Sequence, residues 1–290
     1  MATPILLFGI GATKSGTSWL YNYLRSHPEC HLRSIKELHF FDSLENGSKN
    51  WHLKELDRKC AELENALSAG RPANAAWNAA QLADTRIYAR ILKKHDEAGY
   101  LSYLADGRTD ESVISDITPC YSMLSEQCLS HMASMTEDVR FVFLMRDPVD
   151  RLWSHVRMIA KRRSKTGNDI DKRAGWIFNR TLEGGEDHIL ERGDYRGTLT
   201  RLQAAVDPQR VFICTFEELF SDDALTRLCR FLGIVPIPGD FSKKVHVGAK
   251  VPMSGAQKRR AAAFLEPQYD FVAARMGPLP AAWEANRAGV

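Results

Sequence analysis

The sequence predicts an α/β fold: a central parallel sheet flanked by helices in three layers, closed as a single domain over residues 1–290. Three observations predict it. Short apolar runs of strand length recur at Ile5–Phe8, Val113–Ile117, Phe141–Met145 and Val211–Cys214. Amphipathic helical spacing follows each run, and strands alternating with helices argue for parallel pairing. The stretch from about Lys49 to Gly107 breaks that rhythm. It is polar and helix-rich, with helices predicted over Lys54–Leu67 and Asp84–His95 and a break at Arg71-Pro72 between them. We read it as a helical insertion over about residues 49–107 that covers part of a site on the sheet.

The first strand runs into the most informative segment, Gly9-Ile-Gly-Ala-Thr-Lys-Ser-Gly-Thr-Ser-Trp-Leu20. Trp19, Leu20, Tyr23 and Leu24 then recur at helical spacing. A strand, a Gly-rich turn and a helix N-terminus make an anion cradle, because free N–H groups and the helix dipole both favour negative charge. The loop is P-loop-like but departs from the triphosphate pattern G-x-x-x-x-G-K-[ST]. Gly11 and Gly16 keep the spacing, yet Thr17 stands where the lysine falls, and the only lysine is Lys14 inside the loop. A cradle so built suits a shorter anionic donor than a triphosphate.

The segment Phe141-Val-Phe-Leu-Met-Arg-Asp-Pro-Val-Asp-Arg-Leu-Trp-Ser-His155 repeats the architecture. Asp147 followed by Pro148 reads as an N-cap and first helical position. Arg146 therefore ends a strand, where open α/β sheets bind ligands. Ser154 follows about two turns into the helix. A guanidinium fork with a hydroxyl suits a phosphate. Two anion sites on one sheet, without a γ-phosphate lysine, point to a nucleotide phosphorylated at both ends of its ribose.

On these residues the chain resembles the sulfotransferases that use PAPS, 3′-phosphoadenosine 5′-phosphosulfate. The resemblance implies that Lys14, Ser15, Gly16, Thr17, Ser18 and Trp19 serve the 5′-phosphosulfate, and Arg146 and Ser154 the 3′-phosphate. The segment Lys36-Glu-Leu-His-Phe-Phe-Asp42 resembles the Glu-x-His-Phe-Phe-Asp motif of the heparan-type and related bacterial branch. It implies that Glu37 is the general base, with His39 and Asp42 at the neighbouring polar positions facing the acceptor. Asp116-Ile-Thr-Pro-Cys-Tyr121 is similar to the Thr-Pro-x-Tyr of that family, although Ile117 stands where some heparan members carry lysine. Cys214-Thr-Phe-Glu-Glu-Leu219 and Phe231-Leu-Gly233 also follow the pattern.

The implied reaction moves a sulfuryl group from PAPS to a hydroxyl, less readily an amine, of a small metabolite or carbohydrate, and releases PAP. Lys14 would stabilise charge building on the leaving phosphate. Glu37 would take the acceptor proton, its affinity raised by burial near Phe40 and Phe41. His39 is the rival base, being closer to neutral when unperturbed. No metal is required, since the transferred group is already activated. A P-loop kinase or NTPase, or a non-catalytic PAP-binding protein, are the competing readings.

Composition bounds the rest. The chain is 44% hydrophobic and 26% charged, an ordinary globular balance. A net charge of +3 is too small to argue for nucleic acid. No apolar run approaches the length of a membrane span, and the first apolar run is needed as a strand, so a cytoplasmic setting is expected. Cys30, Cys60, Cys120, Cys128, Cys214 and Cys229 show no metal-ligand spacing and read as reduced packing residues. Oligomeric state is not readable. The basic run Arg157–Arg173 reads either as a solvated helix end or as a flap meeting an anionic acceptor. Lys243, Lys244 and Lys250 flank Val247-Gly248, Ser254 with Gln257 reads as a capping box, and Trp283 is expected to pack the last helix onto the core.

Overall fold

A computed structural model describes residues 3–70, 74–165, 167–243, 245 and 248–289. Arg71, Pro72, Lys244 and Val247, which figured in the sequence reading, lie outside the described residues. The strands are β1 (Ile5–Gly11), β2 (Cys30–His31), β3 (Val113–Ile117), β4 (Val139–Met145) and β5 (Val211–Thr215). They form one five-stranded sheet in the order β2-β3-β1-β4-β5, and every pairing is parallel. The four expected strands are present and β1 runs three residues further, to Gly11. The short edge strand β2 was not anticipated, because two residues carry no readable alternation.

Alternation along the strands divides the interior in two. Leu6, Phe8 and Ile10 of β1 join Phe141, Phe143 and Met145 of β4 in one core cluster. Leu7 joins Val142 and Leu144 in the other. The first cluster is covered by α6 (Glu126–Ala133), α7 (Pro148–Arg163), α8 (Ile170–Leu182), α9 (Asp187–Glu191), α10 (Tyr195–Ala205), α13 (Gly255–Met276) and α14 (Ala281–Arg287). The second is covered by α1 (Thr17–Ser26), α11 (Phe216–Leu219) and α12 (Asp222–Leu232). Helices therefore lie on both faces, the arrangement that buries a parallel sheet. Gly9 permits close packing at the centre, since a Cβ there would stand 2.5 Å from the Ile117 side chain.

Between β2 and β3 lie α2 (Phe40–Glu45), α3 (Lys49–Ser68), α4 (Ala75–Lys94) and α5 (Glu97–Ala105). Helices α3 and α4 pack along one another, and Tyr88, Leu92 and Tyr100 bury themselves in the first core cluster. The inserted helices thus share the core of the sheet. The Ser254–Gln257 capping box opens α13, Trp283 is fully buried, and all six cysteines are unpaired. No helix among the described residues is long and apolar enough to cross a membrane.

Candidate active site

The loop after β1 is assembled from strained backbone. Lys14 adopts φ 75° and Gly16 φ 93°. Glycine suits the second position on two counts: it costs little at positive φ, and a Cβ there would stand 3.1 Å from Leu219 and Phe216. Gly16 is the N-cap of α1, so no side chain caps that helix. The Trp19 N–H donates back to the Gly16 carbonyl at 2.9 Å, so the first-turn N–H groups left for an anion are those of Thr17 and Ser18. Ser15 is fully buried, and its Oγ finds no partner among the described residues. Thr17 is buried at the first helical position, while Ser18 opens onto a cavity. Trp19 turns away from the loop. Its ring stacks on Tyr23 and Phe241 and its indole N–H donates to the Asp240 carbonyl at 3.4 Å. It packs the base of the loop.

The end of β4 is held beside this loop. The Tyr195 hydroxyl donates to the Arg146 carbonyl at 2.6 Å and accepts from its N–H at 3.1 Å. Asp147 caps α7 by accepting from the Asp150 N–H at 2.8 Å, and Pro148 follows it as expected. Its second oxygen accepts from the Tyr269 hydroxyl, and burial pushes the Asp147 carboxyl up to about 6. The Arg146 guanidinium lies 4.7 Å over the Phe216 ring, with Nη2 3.6 Å from Asp150. Its Nε is buried, with no hydrogen-bond partner among the described residues. Ser154 is one turn beyond Asp150 and one turn before Arg157, on the same face of α7.

The basic run divides by partner. Arg163 pairs with Glu186, and Arg173 pairs with Asp169. These two serve the scaffold. Arg157 donates to the Ala249 carbonyl at 3.0 Å and leaves its Nε unpartnered. Burial lowers the Lys14 pKa, and repulsion from Arg146, Arg162 and Arg157 lowers it further. Glu37 pulls in the opposite direction. Lys14 therefore feels both a cationic cluster, in which Arg146 is balanced by Asp150 at 3.6 Å, and the carboxylate expected to act as base.

Glu37 and His39 also have left-handed backbone, φ 65° and 56°. Such conformations cost about 1–2 kcal/mol each in a non-glycine residue. They persist where the surroundings over-determine them, typically at functional sites. Here α4 holds one end of the loop: Asp84 accepts from the Ser34 N–H at 2.9 Å and pairs with Arg33. The other end is held from β3. Buried Asp116 accepts from Tyr100, Thr118 and Tyr121 hydroxyls at 2.7–2.8 Å. Tyr121 in turn accepts from the Phe40 N–H at 3.0 Å, and Tyr88 donates to the Leu38 carbonyl at 2.6 Å. The Thr-Pro-x-Tyr segment thus braces the Glu37–His39 loop.

The ionisation of this loop reverses two expectations. Burial does push the Glu37 carboxyl upward, but the His39 ring 3.8 Å away and the adjoining Lys36 ammonium win and hold it at about 2. Its side chain keeps 42% of its surface because it opens into a concave cleft rather than into the core. Burial would lower the His39 pKa, yet its hydrogen bond to Asp42 and the neighbouring Cys120 and Glu37 raise it to about 12. His39 is therefore an imidazolium near neutral pH and not a free base. Asp42 is buried behind it, Oδ2 2.8 Å from His39 Nδ1. Asp42 faces His39 instead of the cavity, so any effect on an acceptor passes through that ring.

Ser18, Glu37 and His39 open on a cavity of about 500 Å³. Its far walls come from α3 through Trp51, His52 and Lys59, and from α4 through Trp77 and Gln81. No sequence signal identified these residues, because each reaches the cavity from a different segment. Arg157, Arg162 and Tyr195 were also missed as neighbours of the loop. Arg157 and Arg162 lay within the basic run, but only the fold separates them from Arg163 and Arg173.

His39, Asp42 and His52 bring ligand-type atoms within 4.8 Å of one another. The two imidazoles, however, stack at 4.2 Å and 27°. Their in-plane lone pairs run side by side and do not converge on one point, and His39 Nδ1 is committed to Asp42. Burial and the charged His39 lower the His52 pKa to about 4, so His52 is neutral against the imidazolium.

Comparison with known proteins identifies the family and the fold. Residues 4–237 match the sulfotransferase family. Carbohydrate sulfotransferase 15 of Homo sapiens is 22% identical over 277 residues, covering 86% of this chain and 46% of that protein. The chain thus spans about half the length of this curated relative. The crystal structure of a sulfotransferase from Alicyclobacillus acidocaldarius shares the fold, with a TM-score of 0.65 at 20% identity, over 98% of this chain and 100% of that one. The strand–loop–helix cradle is thus set in a chain that belongs to the sulfotransferase family, an enzyme family.

Proposed function

We propose that the donor is PAPS and that the acceptor offers a hydroxyl, or less readily an amine, on a small metabolite or carbohydrate. One observation carries this reading: the loop that holds Lys14 opens α1 without a side-chain cap beside strand β4, which leads into Arg146, while Ser18 at the start of the same helix shares a cavity with Glu37. One loop and the helix it opens thereby join an anion-binding half to a half that presents a carboxylate to a cavity.

The residues present fit such a nucleotide. The buried Ser15 Oγ and Arg146 Nε lack partners, and α1 begins without a side-chain cap. Lys14, Ser15, Gly16, Thr17 and Ser18 would hold its phosphosulfate end, and Arg146 with Ser154 its 3′-phosphate. PAPS supplies an activated sulfuryl group. Lys14 and the loop N–H groups oppose negative charge at the leaving phosphate, preorganised stabilisation that does not need to reorient. Glu37 accepts the acceptor proton within the cavity. Held at about 2 in the free protein, it is a weak base at rest. Its strength depends on how far Lys36 and His39 remain engaged when an acceptor displaces water. His39, charged and fixed by Asp42, orients Glu37 from the side at 3.8 Å.

The name of the human relative favours a carbohydrate among the acceptors, and the cavity volume admits a sugar ring. The direct test is incubation with labelled PAPS and a metabolite extract, followed by mass spectrometry. A sulfate gain on an extract component, with PAP released in equal amount, supports the reading. Magnesium-dependent consumption of ATP with no use of PAPS contradicts it.

A further inference from the structure

The cavity beyond Glu37 has an uneven distribution of charge. Its titratable wall comprises Arg25, Lys36, Glu37, His39, His52, Glu55, Arg58 and Lys59, with Tyr21 beside Arg25. Most of these are spoken for. Lys36 pairs with Glu37. Arg58 pairs with Glu55 at 2.7 Å and also with Glu62. His39 is balanced by Asp42 at 2.8 Å, and His52 is neutral in its stack with His39. Arg25 and Lys59 remain, with no carboxylate at ion-pair distance among the described residues.

Arg25 is more than a surface charge. Its guanidinium carbon lies 3.8 Å above the Trp77 ring. Stacking uses the face of the guanidinium and leaves its edge donors free. The ring also limits the side-chain freedom that binding would otherwise remove. A stacked arginine is thereby a preorganised fork for a carboxylate or sulfate, which it meets with two parallel N–H donors. Arg25 belongs to α1, the helix that starts at the donor loop, and Trp77 to α4 of the insertion. Lys59 reaches the same cavity from α3. Trp51, 60% exposed, adds a second flat apolar surface at the cavity wall.

We infer that the acceptor is an anionic ring compound, whose carboxylate or sulfate is taken by Arg25 on Trp77 with Lys59, while its reactive hydroxyl faces Glu37. This rests on the reading of the cavity as the acceptor site. It assigns the selectivity to the inserted helices and α1, not to the position of Ile117, where some related enzymes carry lysine.

The test compares 4-nitrophenyl β-D-glucuronide with 4-nitrophenyl β-D-glucoside, which differ by a carboxylate against a hydroxymethyl group. Each is titrated calorimetrically into the full chain, with and without saturating PAP. The glucuronide should bind at least about tenfold more tightly, as a charge-assisted pair implies. Arg25→Ala should remove most of that preference and leave the glucoside affinity unchanged. Arg25→Lys should restore only part of it, since lysine keeps the charge but not the fork. Equal affinities, a preference that survives Arg25→Ala, or no binding of either sugar at millimolar concentration would each overturn the proposal. PAP binding is measured in the same samples. Its loss would count against the donor reading, while the sugar comparison without PAP still decides the fate of the anionic acceptor.

Discussion

The two halves of the site are built on different principles. The donor half is made by backbone at strand ends: the loop after β1 and the turn after β4, adjacent in the sheet. Its residues are close in sequence to the strands that place them, and Arg146 alone among its cations has a carboxylate, Asp150, at ion-pair distance among the described residues. The acceptor half is made by side chains gathered from α1, the Ser34–His39 loop, α3 and α4. There most charges are already paired with each other. A cradle with an excess of cations suits an anionic ligand common to many enzymes. A pocket of internally satisfied groups with two spare cations suits selection of one acceptor. On the proposed reading, donor recognition resides in the strand ends, and acceptor recognition in α1 together with the helices between β2 and β3.

The largest effects should appear where the halves meet. Glu37→Gln should lower kcat by about 10²–10⁴, the usual worth of a positioned base, while calorimetry shows PAP affinity retained. Near-normal turnover would remove Glu37 from the base role. Lys14→Ala should lower kcat by about 10²–10³ in a protein whose melting curve stays cooperative. A fall in both kcat and PAP affinity would mean that Lys14 serves the ground state as much as the transition state.

Changes confined to one half should be smaller and should separate. Arg146→Ala should weaken PAP binding by about ten- to a hundredfold and leave the acceptor KM within error. Trp77→Ala should do the reverse, raising the acceptor KM by about three- to tenfold through loss of the Arg25 stack, with PAP affinity intact. Steady-state kinetics on both variants would break the division if either change moved both constants.

A different kind of effect concerns pH. His39 holds its proton to about 12 when folded, against 6.5 unperturbed. A raised pKa of this kind stabilises the fold fully below 6.5, and the contribution drains away as pH rises towards 12. Wild-type protein should therefore lose more Tm between pH 6.5 and 9.5 than His39→Gln does, by about 2–4 °C for each kcal/mol involved. Identical slopes would show that His39 is not held as an imidazolium.

What the sequence made legible follows the same division. Strands β1, β3, β4 and β5, the Lys14 loop, and the Asp147-Pro148 helix start are local patterns, and local patterns survive without a fold. Strand β2 was invisible because Cys30-His31 is too short to alternate. The cavity was invisible because Arg25 and Trp77 stand far apart in sequence and meet only through the packing of α4 on the core. The ionisation of Glu37 was misjudged for a physical reason. Phe40 and Phe41 suggest an apolar setting, but positive φ at Glu37 and His39 turns both side chains toward Lys36, Asp42 and each other. Trp19 looked like part of the ligand loop, yet its place in α1 directs it into the second core cluster.

The central claim is that one ligand, an adenosine with a phosphate at each end of the ribose, spans from the Gly16 cradle to Arg146. Isothermal titration with 3′,5′-bisphosphoadenosine against ATP, without magnesium, tests it most directly. The account predicts tight one-to-one binding of the bisphosphate and ATP binding weaker by at least about a hundredfold, two charge-assisted contacts being lost. Capture of ATP with indifference to the bisphosphate would contradict it.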